Sequence, residues 1–106
     1  MNDIKWTNSE KKLAREIFES ALHKELDEII AEFKKSAAAV SKPDDLWPLL
    51  KRTARKQEEI DQKYDFRYSQ ILYVFSRLLR EQRITEDDLS GLSEEKLAMI
   101  FKISEL

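Results

Sequence analysis

The sequence predicts an all-α protein, on three observations: few turn formers, many helix formers, and apolar residues recurring at helical spacing. One Gly and two Pro among 106 residues leave little material for the turns of an all-β or α/β fold. Ala, Leu, Glu, Lys, Arg and Gln lose least on entering a helix, and they supply much of the chain. Hydrophobic residues at 42% are too many for a disordered chain, and charged residues at 38% are too many for a large compact core. The length suits a single domain spanning 1–106.

A first long helix is predicted over about 9–40. Thr7, Asn8 and Ser9 offer short polar side chains to cap its start. Leu13, Ile17, Phe18, Ala21, Leu22, Leu26, Ile29, Ile30, Phe33, Ala37 and Val40 then recur at intervals of three and four. Lys11, Lys12, Glu16, Glu19, Lys24, Glu28, Glu32 and Lys35 occupy the other side. Pro43 is expected to stop this helix, with an Asp of the Asp44-Asp45 pair capping the next. Pro48 is then expected in the first turn of a second long helix over about 45–82, where a missing N–H costs little.

That second helix begins with an apolar group, Leu46, Trp47, Leu49 and Leu50, and offers little beyond Ala54 until Ile60. Apolar residues return at Tyr64, Phe66, Tyr68, Ile71, Leu72, Val74, Phe75, Leu78 and Leu79. Thr85, followed by Glu86, Asp87 and Asp88, reads as a short helical turn with acids at its positive end. Gly91 ends it. Ser93 with Lys96 opens a last helix bearing Leu97, Ile100, Phe101 and Ile103, so that about 66–105 forms a small C-terminal helical head.

A compact chain of this length has a radius of gyration of about 13 Å. A helix of roughly 30 residues is about 45 Å long, so its apolar stripe outruns any compact body the chain can build. A second copy is the simplest cover, giving an elongated antiparallel helical dimer; a monomeric hairpin with a small cap is the alternative. The expected interface residues are Leu46, Trp47, Leu50 and Ala54 on the second helix with Leu26, Ile29, Ile30 and Phe33 on the first.

Enzyme chemistry finds no foothold in this inventory. There is no Cys, so neither a disulfide scaffold nor a thiolate metal site can form, and His23 is the only histidine. One glycine rules out a phosphate-cradling loop, and adjacent acids such as Glu58-Glu59 and Asp87-Asp88 point about 100° apart on a helix. No catalytic residue, metal or cofactor is expected. The longest apolar run, Ile71 to Phe75, is far short of a membrane span. The opening MNDIKWTNSEKK lacks the apolar stretch of a signal peptide, so the cytoplasm is the expected compartment.

Nineteen bases against 21 acids give a formal net charge of −2, which draws the chain to neither nucleic acid nor anionic lipid. Lys51, Arg52, Arg55 and Lys56 still make a local basic cluster. It suits an acidic protein partner or a solvated face; nucleic acid is disfavoured because acids follow at once and no aromatic residue interleaves to stack bases. Trp47 reads either as core packing or as an interface anchor.

Asp44-Asp45-Leu46-Trp47, then Glu59-Ile60-Asp61-Gln62-Lys63-Tyr64-Asp65 and onward to Arg67, Ser69, Val74 and Phe75, resembles the fluorescence recovery proteins of carotenoid-based photoprotection. A weaker likeness covers Leu22 to Asp27, and Leu89, Leu92, Lys96 and Ile100. The resemblance implies an all-helical dimer with small heads. It further implies a cofactor-free activity: binding the C-terminal domain of photoactivated orange carotenoid protein and hastening its return to the dark form. Trp47 matches the family's interface tryptophan, and Lys56 keeps a basic residue beside it. Leu50-Lys51 stand where cyanobacterial members have His-Asp, Gln57 replaces an arginine, Tyr73 a phenylalanine and Met99 a lysine. Taken with the basic cluster, these positions give the expected partner-binding set: Trp47, Lys51, Arg52, Arg55, Lys56 and Gln57, with Tyr73 and Met99 in the head. The alternative is a dimeric adaptor on the same scaffold that serves a different protein.

Overall fold

A computed structural model describes residues 4–106. In chain order these form α1 (Asn8–Ala38), α2 (Pro43–Lys63), α3 (Ile71–Arg80), a 3-10 turn (Asp87–Leu89) and α4 (Glu94–Ser104), with no strand among the described residues. The all-α expectation holds. Two compact units divide the chain, one of residues 1–21 with 66–106 and the other of residues 22–65. The head therefore takes in the start of α1 as well as the C-terminal segments anticipated for it.

Reciprocal caps fix the helix starts in the head. Thr7 Oγ1 accepts from the Glu10 N–H at 3.1 Å, and Glu10 Oε1 accepts from the Thr7 N–H at 3.1 Å. Thr85 and Asp88 repeat the pattern ahead of the 3-10 turn at 3.1 and 2.8 Å. At α4 the Ser93 hydroxyl accepts from the Lys96 N–H at 3.3 Å. The acid that would complete this box comes from α1: Glu10 Oε2 accepts from the Ser93 N–H at 2.9 Å.

Ile71, Phe75, Leu78, Leu89 and Ile100 form the fully buried centre of the head, with Ala14 and Phe18 of α1 also buried. Ser76 Oγ joins α3 to α4 by donating to the Leu72 and Ile100 carbonyls at 2.6 and 3.2 Å. Gly91 lies against Leu13, where a Cβ would stand 2.7 Å from the leucine Cδ2. Lys96 is 4% exposed, and its ammonium donates to Glu10 Oε1 at 3.1 Å and to the Lys5 carbonyl at 2.6 Å. It also lies 4.9 Å from the Trp6 ring centroid, so one buried pair ties the N-terminal segment, α1 and α4 together.

The other unit is an antiparallel helical hairpin. Four residues, 39–42, join α1 to α2, and at the far end Lys63 Nζ donates to Glu25 Oε1 at 2.8 Å.

Three expectations about the helices need correction. The second long helix over about 45–82 is broken: α2 ends at Lys63 and α3 begins at Ile71. Tyr64 reaches Glu25 in the hairpin, while Phe66 packs edge-on to Phe18 at 4.8 Å and Tyr68 to Phe66 at 5.6 Å in the head. Helical backbone would place residues two apart on nearly opposite faces, so tertiary packing overrides the helical propensity here. Pro43 begins α2 rather than merely ending α1, which puts Pro48 inside the helix. Neither Asp caps it: Lys42 holds the cap position, and Asp45 Oδ2 instead accepts from the Ser41 N–H and hydroxyl at 3.2 and 3.1 Å.

The apolar stripe of α1 is also two stripes. Buried Ala14, Ile17, Phe18 and Ala21 share one face. Leu26, Ile30 and Phe33 lie roughly 130° around the helix from it and remain exposed.

Burial pushes the pKa of Glu10 up, but hydrogen bonds from Thr7, Ser93 and Lys96 and the Lys96 charge outweigh it, holding the carboxyl below its ordinary value. Its contribution is then present above the unfolded value of about 4.3 and is lost as pH falls through the folded value. Thermal melts of Glu10→Gln and the wild type should differ most near neutrality. The gap should close on acidification below about pH 4; an equal gap at both ends would contradict this account.

Candidate functional site

Of the partner-binding residues anticipated from the sequence, Trp47, Lys51, Arg52, Arg55, Lys56 and Gln57 lie on α2 in the hairpin, and all are exposed. Tyr73 on α3 is exposed and Met99 on α4 half-buried, both in the head. The eight residues thus fall into two groups, one in each unit.

On α2 the buried side is set by Leu49, Ile60 and Lys63. At 100° per residue, Trp47, Lys51, Ala54 and Glu58 lie on the opposite side, with Leu50 and Gln57 along one edge and Arg55 along the other. Among the anticipated interface residues, Trp47 is 56% exposed, Leu50 44%, Ile30 50%, and Leu26 and Phe33 38% each. Ala54 is exposed, and Leu46 and Ile29 are half-buried. The hairpin thus presents large apolar side chains on both helices in numbers unusual for a surface built only to face water.

The basic cluster is less uniform than its sequence suggests. Lys56 approaches Glu59 at 3.6 Å, an exposed pair worth little. Arg52 borders an open depression at the hairpin turn with Asp44, Asp45, Pro48 and Val40, so acids temper its field. Lys51 and Arg55 are exposed and make no ion pair or hydrogen bond among the described residues.

Sequence reasoning missed the group that closes the hairpin's far end. Glu25 Oε1 accepts from Lys63 Nζ at 2.8 Å and from the Tyr64 hydroxyl at 2.7 Å, with all three side chains buried. The available signal was spacing: Glu25 follows Ala21 by four on the buried face of α1, and Lys63 follows Ile60 by three on α2. This clasp holds the end of α2 on α1 and so fixes the direction in which the Trp47 face points.

Residues 6–104 match the family described as photoprotection regulator fluorescence recovery protein. The chain belongs to that family. It is 35% identical over 101 residues to the fluorescence recovery protein of Synechocystis sp., covering 95% of this chain and 93% of that one. Its fold superposes on the Fremyella diplosiphon fluorescence recovery protein with a TM-score of 0.90 at 31% identity, covering 96% of this chain and all of the other. The Synechocystis sp. structure gives 0.91 at 34% identity, with the same coverage. Fluorescence recovery proteins are photoprotection regulators, and the surfaces above are those of a fluorescence recovery protein fold.

Among the described residues, no group of three or more His, Cys, Asp and Glu side chains is placed to hold a metal ion. His23 lies exposed, 3.9 Å from Asp27. No described helix is long and apolar enough to cross a membrane.

Removing one member of a buried, hydrogen-bonded pair leaves the other charge without its main compensation. Glu25→Ala should therefore destabilise the fold by roughly 3 kcal/mol, whereas Lys56→Ala should stay within about 0.5 kcal/mol. Denaturant melts of the two variants check the contrast, and equal midpoints would contradict the role given to the clasp.

Proposed function

We propose that the chain is a non-enzymatic regulator that binds the C-terminal domain of photoactivated orange carotenoid protein and speeds its return to the dark form. The observation that carries this reading is family membership across almost the whole chain. Physically, such a regulator needs no chemistry of its own. It binds one state of its partner, or the transition between states, more tightly than the rest, and the equilibrium or rate follows. Residues 1–106 act in this reading as one functional domain. Trp47, Lys51, Arg52, Arg55, Lys56 and Gln57 supply the partner surface on the hairpin, and Tyr73 and Met99 supply it on the head.

In the same reading the working form is a homodimer, and the compartment is the cytoplasm. Exposed Leu26, Ile30, Phe33, Trp47 and Leu50 support a second copy as cover, because apolar side chains in this number are stabilised by leaving water together. Lys51 favours a second reading, in which the scaffold serves a different protein. It is exposed and cationic where the resemblance places an acid in cyanobacterial members, and reversing a charge at a contact surface changes which partners fit.

Dark relaxation of photoactivated orange carotenoid protein, followed with and without excess chain, decides between them. Faster relaxation supports the first reading; an unchanged rate overturns it in favour of the second. Independently, Trp47→Glu should weaken self-association by about 2–4 kcal/mol, because it sets a charge in an apolar seam. A sedimentation profile identical to the wild type would show that the seam lies elsewhere.

A further inference from the structure

The antiparallel homodimer expected from the sequence does not name the residues that set its orientation and register, and the charges on α2 bear on that. Trp47, Leu50, Ala54 and Gln57 follow one another at intervals of three, four and three, the spacing of a helix–helix seam. Lys51 and Glu58 flank this seam on one side. They are seven residues apart, so they take the same position on successive pairs of turns. Both are exposed, and neither makes an ion pair or hydrogen bond among the described residues. Their separation along one helix is about 10.5 Å, too far for either to neutralise the other within a chain.

Arg55, between them in sequence, lies further round the helix from the seam, so the positions that flank the seam directly read positive, then negative. Such a pattern complements itself only when reversed. Two copies of α2 laid parallel bring Lys51 to Lys51 and Glu58 to Glu58. Laid antiparallel about a two-fold axis at the level of Ala54, they bring Lys51 of each copy opposite Glu58 of the other, and symmetry makes the contact twice. Antiparallel helices also pair flanking positions of the same kind across the seam, as Lys51 and Glu58 are. The small side chain of Ala54 lets the two backbones approach where they cross.

We propose that Lys51 and Glu58 are the residues that set orientation and register in the self-pairing of this chain, each meeting the other across the two-fold axis. This rests on the homodimer reading and deepens it. It also gives Lys51 a role beside partner contact: a cation exposed in the single chain that a second copy neutralises in the dimer.

Charge reversal tests this without disturbing the fold, because both side chains are exposed. In sedimentation equilibrium, Lys51→Glu alone sets acid against acid twice, and Glu58→Lys alone sets base against base twice. Each should raise the dimer dissociation constant about ten- to a hundredfold, the effect shrinking at about 1 M salt. An equimolar mixture of the two variants should associate nearly as tightly as the wild type, because the heterodimer restores both pairs with their signs exchanged. A mixture that associates no better than its components, or single variants that dimerise normally, would overturn the pairing while leaving the homodimer intact. A wild type that stays a single chain at every concentration would overturn the homodimer and the pairing with it.

Discussion

The constraint on which this structure turns is the poverty of buried apolar surface in the hairpin of residues 22–65. Leu49, Ile60 and Tyr64 are its buried hydrophobic residues, whereas Leu26, Ile30, Phe33, Trp47 and Leu50 stand well exposed. Two helices can bury only the faces they turn toward each other, and these five residues lie largely on faces turned elsewhere. At about 25 cal/mol per Å² of apolar area removed from water, covering them is among the largest stabilising steps still open to the chain. Proposed self-association and partner binding both draw on that one surface.

What aims the surface is polar. Glu25 holds Lys63 and Tyr64 from the end of α2, and Glu10 holds Lys96 and Ser93 from the C-terminal part of the chain as well as Thr7 of its own cap. Buried pairs of this kind add little net stability over apolar packing, but they penalise every arrangement in which a partner is missing. They specify one fold. In the head this places α3 and α4, and with them Tyr73 and Met99, on a base to which the N-terminal segment is fastened through Lys96 and Trp6.

The helical class, the caps at Thr7, Thr85 and Ser93 and the short turn near Asp87 were legible from residue type and spacing, because those signals are local. The break at 64–70 was not read, although Tyr64, Phe66 and Tyr68 alternate with a period of two rather than 3.6. No glycine marks the end of α3 either. Gln82 adopts φ 62° there, and the Gln82 and Arg83 N–H groups reach back to the Leu79 and Leu78 carbonyls at 3.0 and 2.8 Å. The two faces of α1 blur in a list of apolar positions and separate only when burial is known. Of the candidate site, Trp47 and its neighbours were visible as an apolar and basic concentration. Glu25 and Lys63 were not, since their spacing from Ala21 and Ile60 was the one sign of burial, and residue type alone does not distinguish a buried charge from a solvated one.

The central claim is that a second chain covers the exposed apolar face of the hairpin. Small-angle scattering of the unmodified protein over a micromolar concentration series measures this most directly, through the mass of the particle. The account predicts a mass of two 12.6 kDa chains across the upper part of the series, giving way to one on dilution. A particle of single-chain mass at every concentration would contradict it.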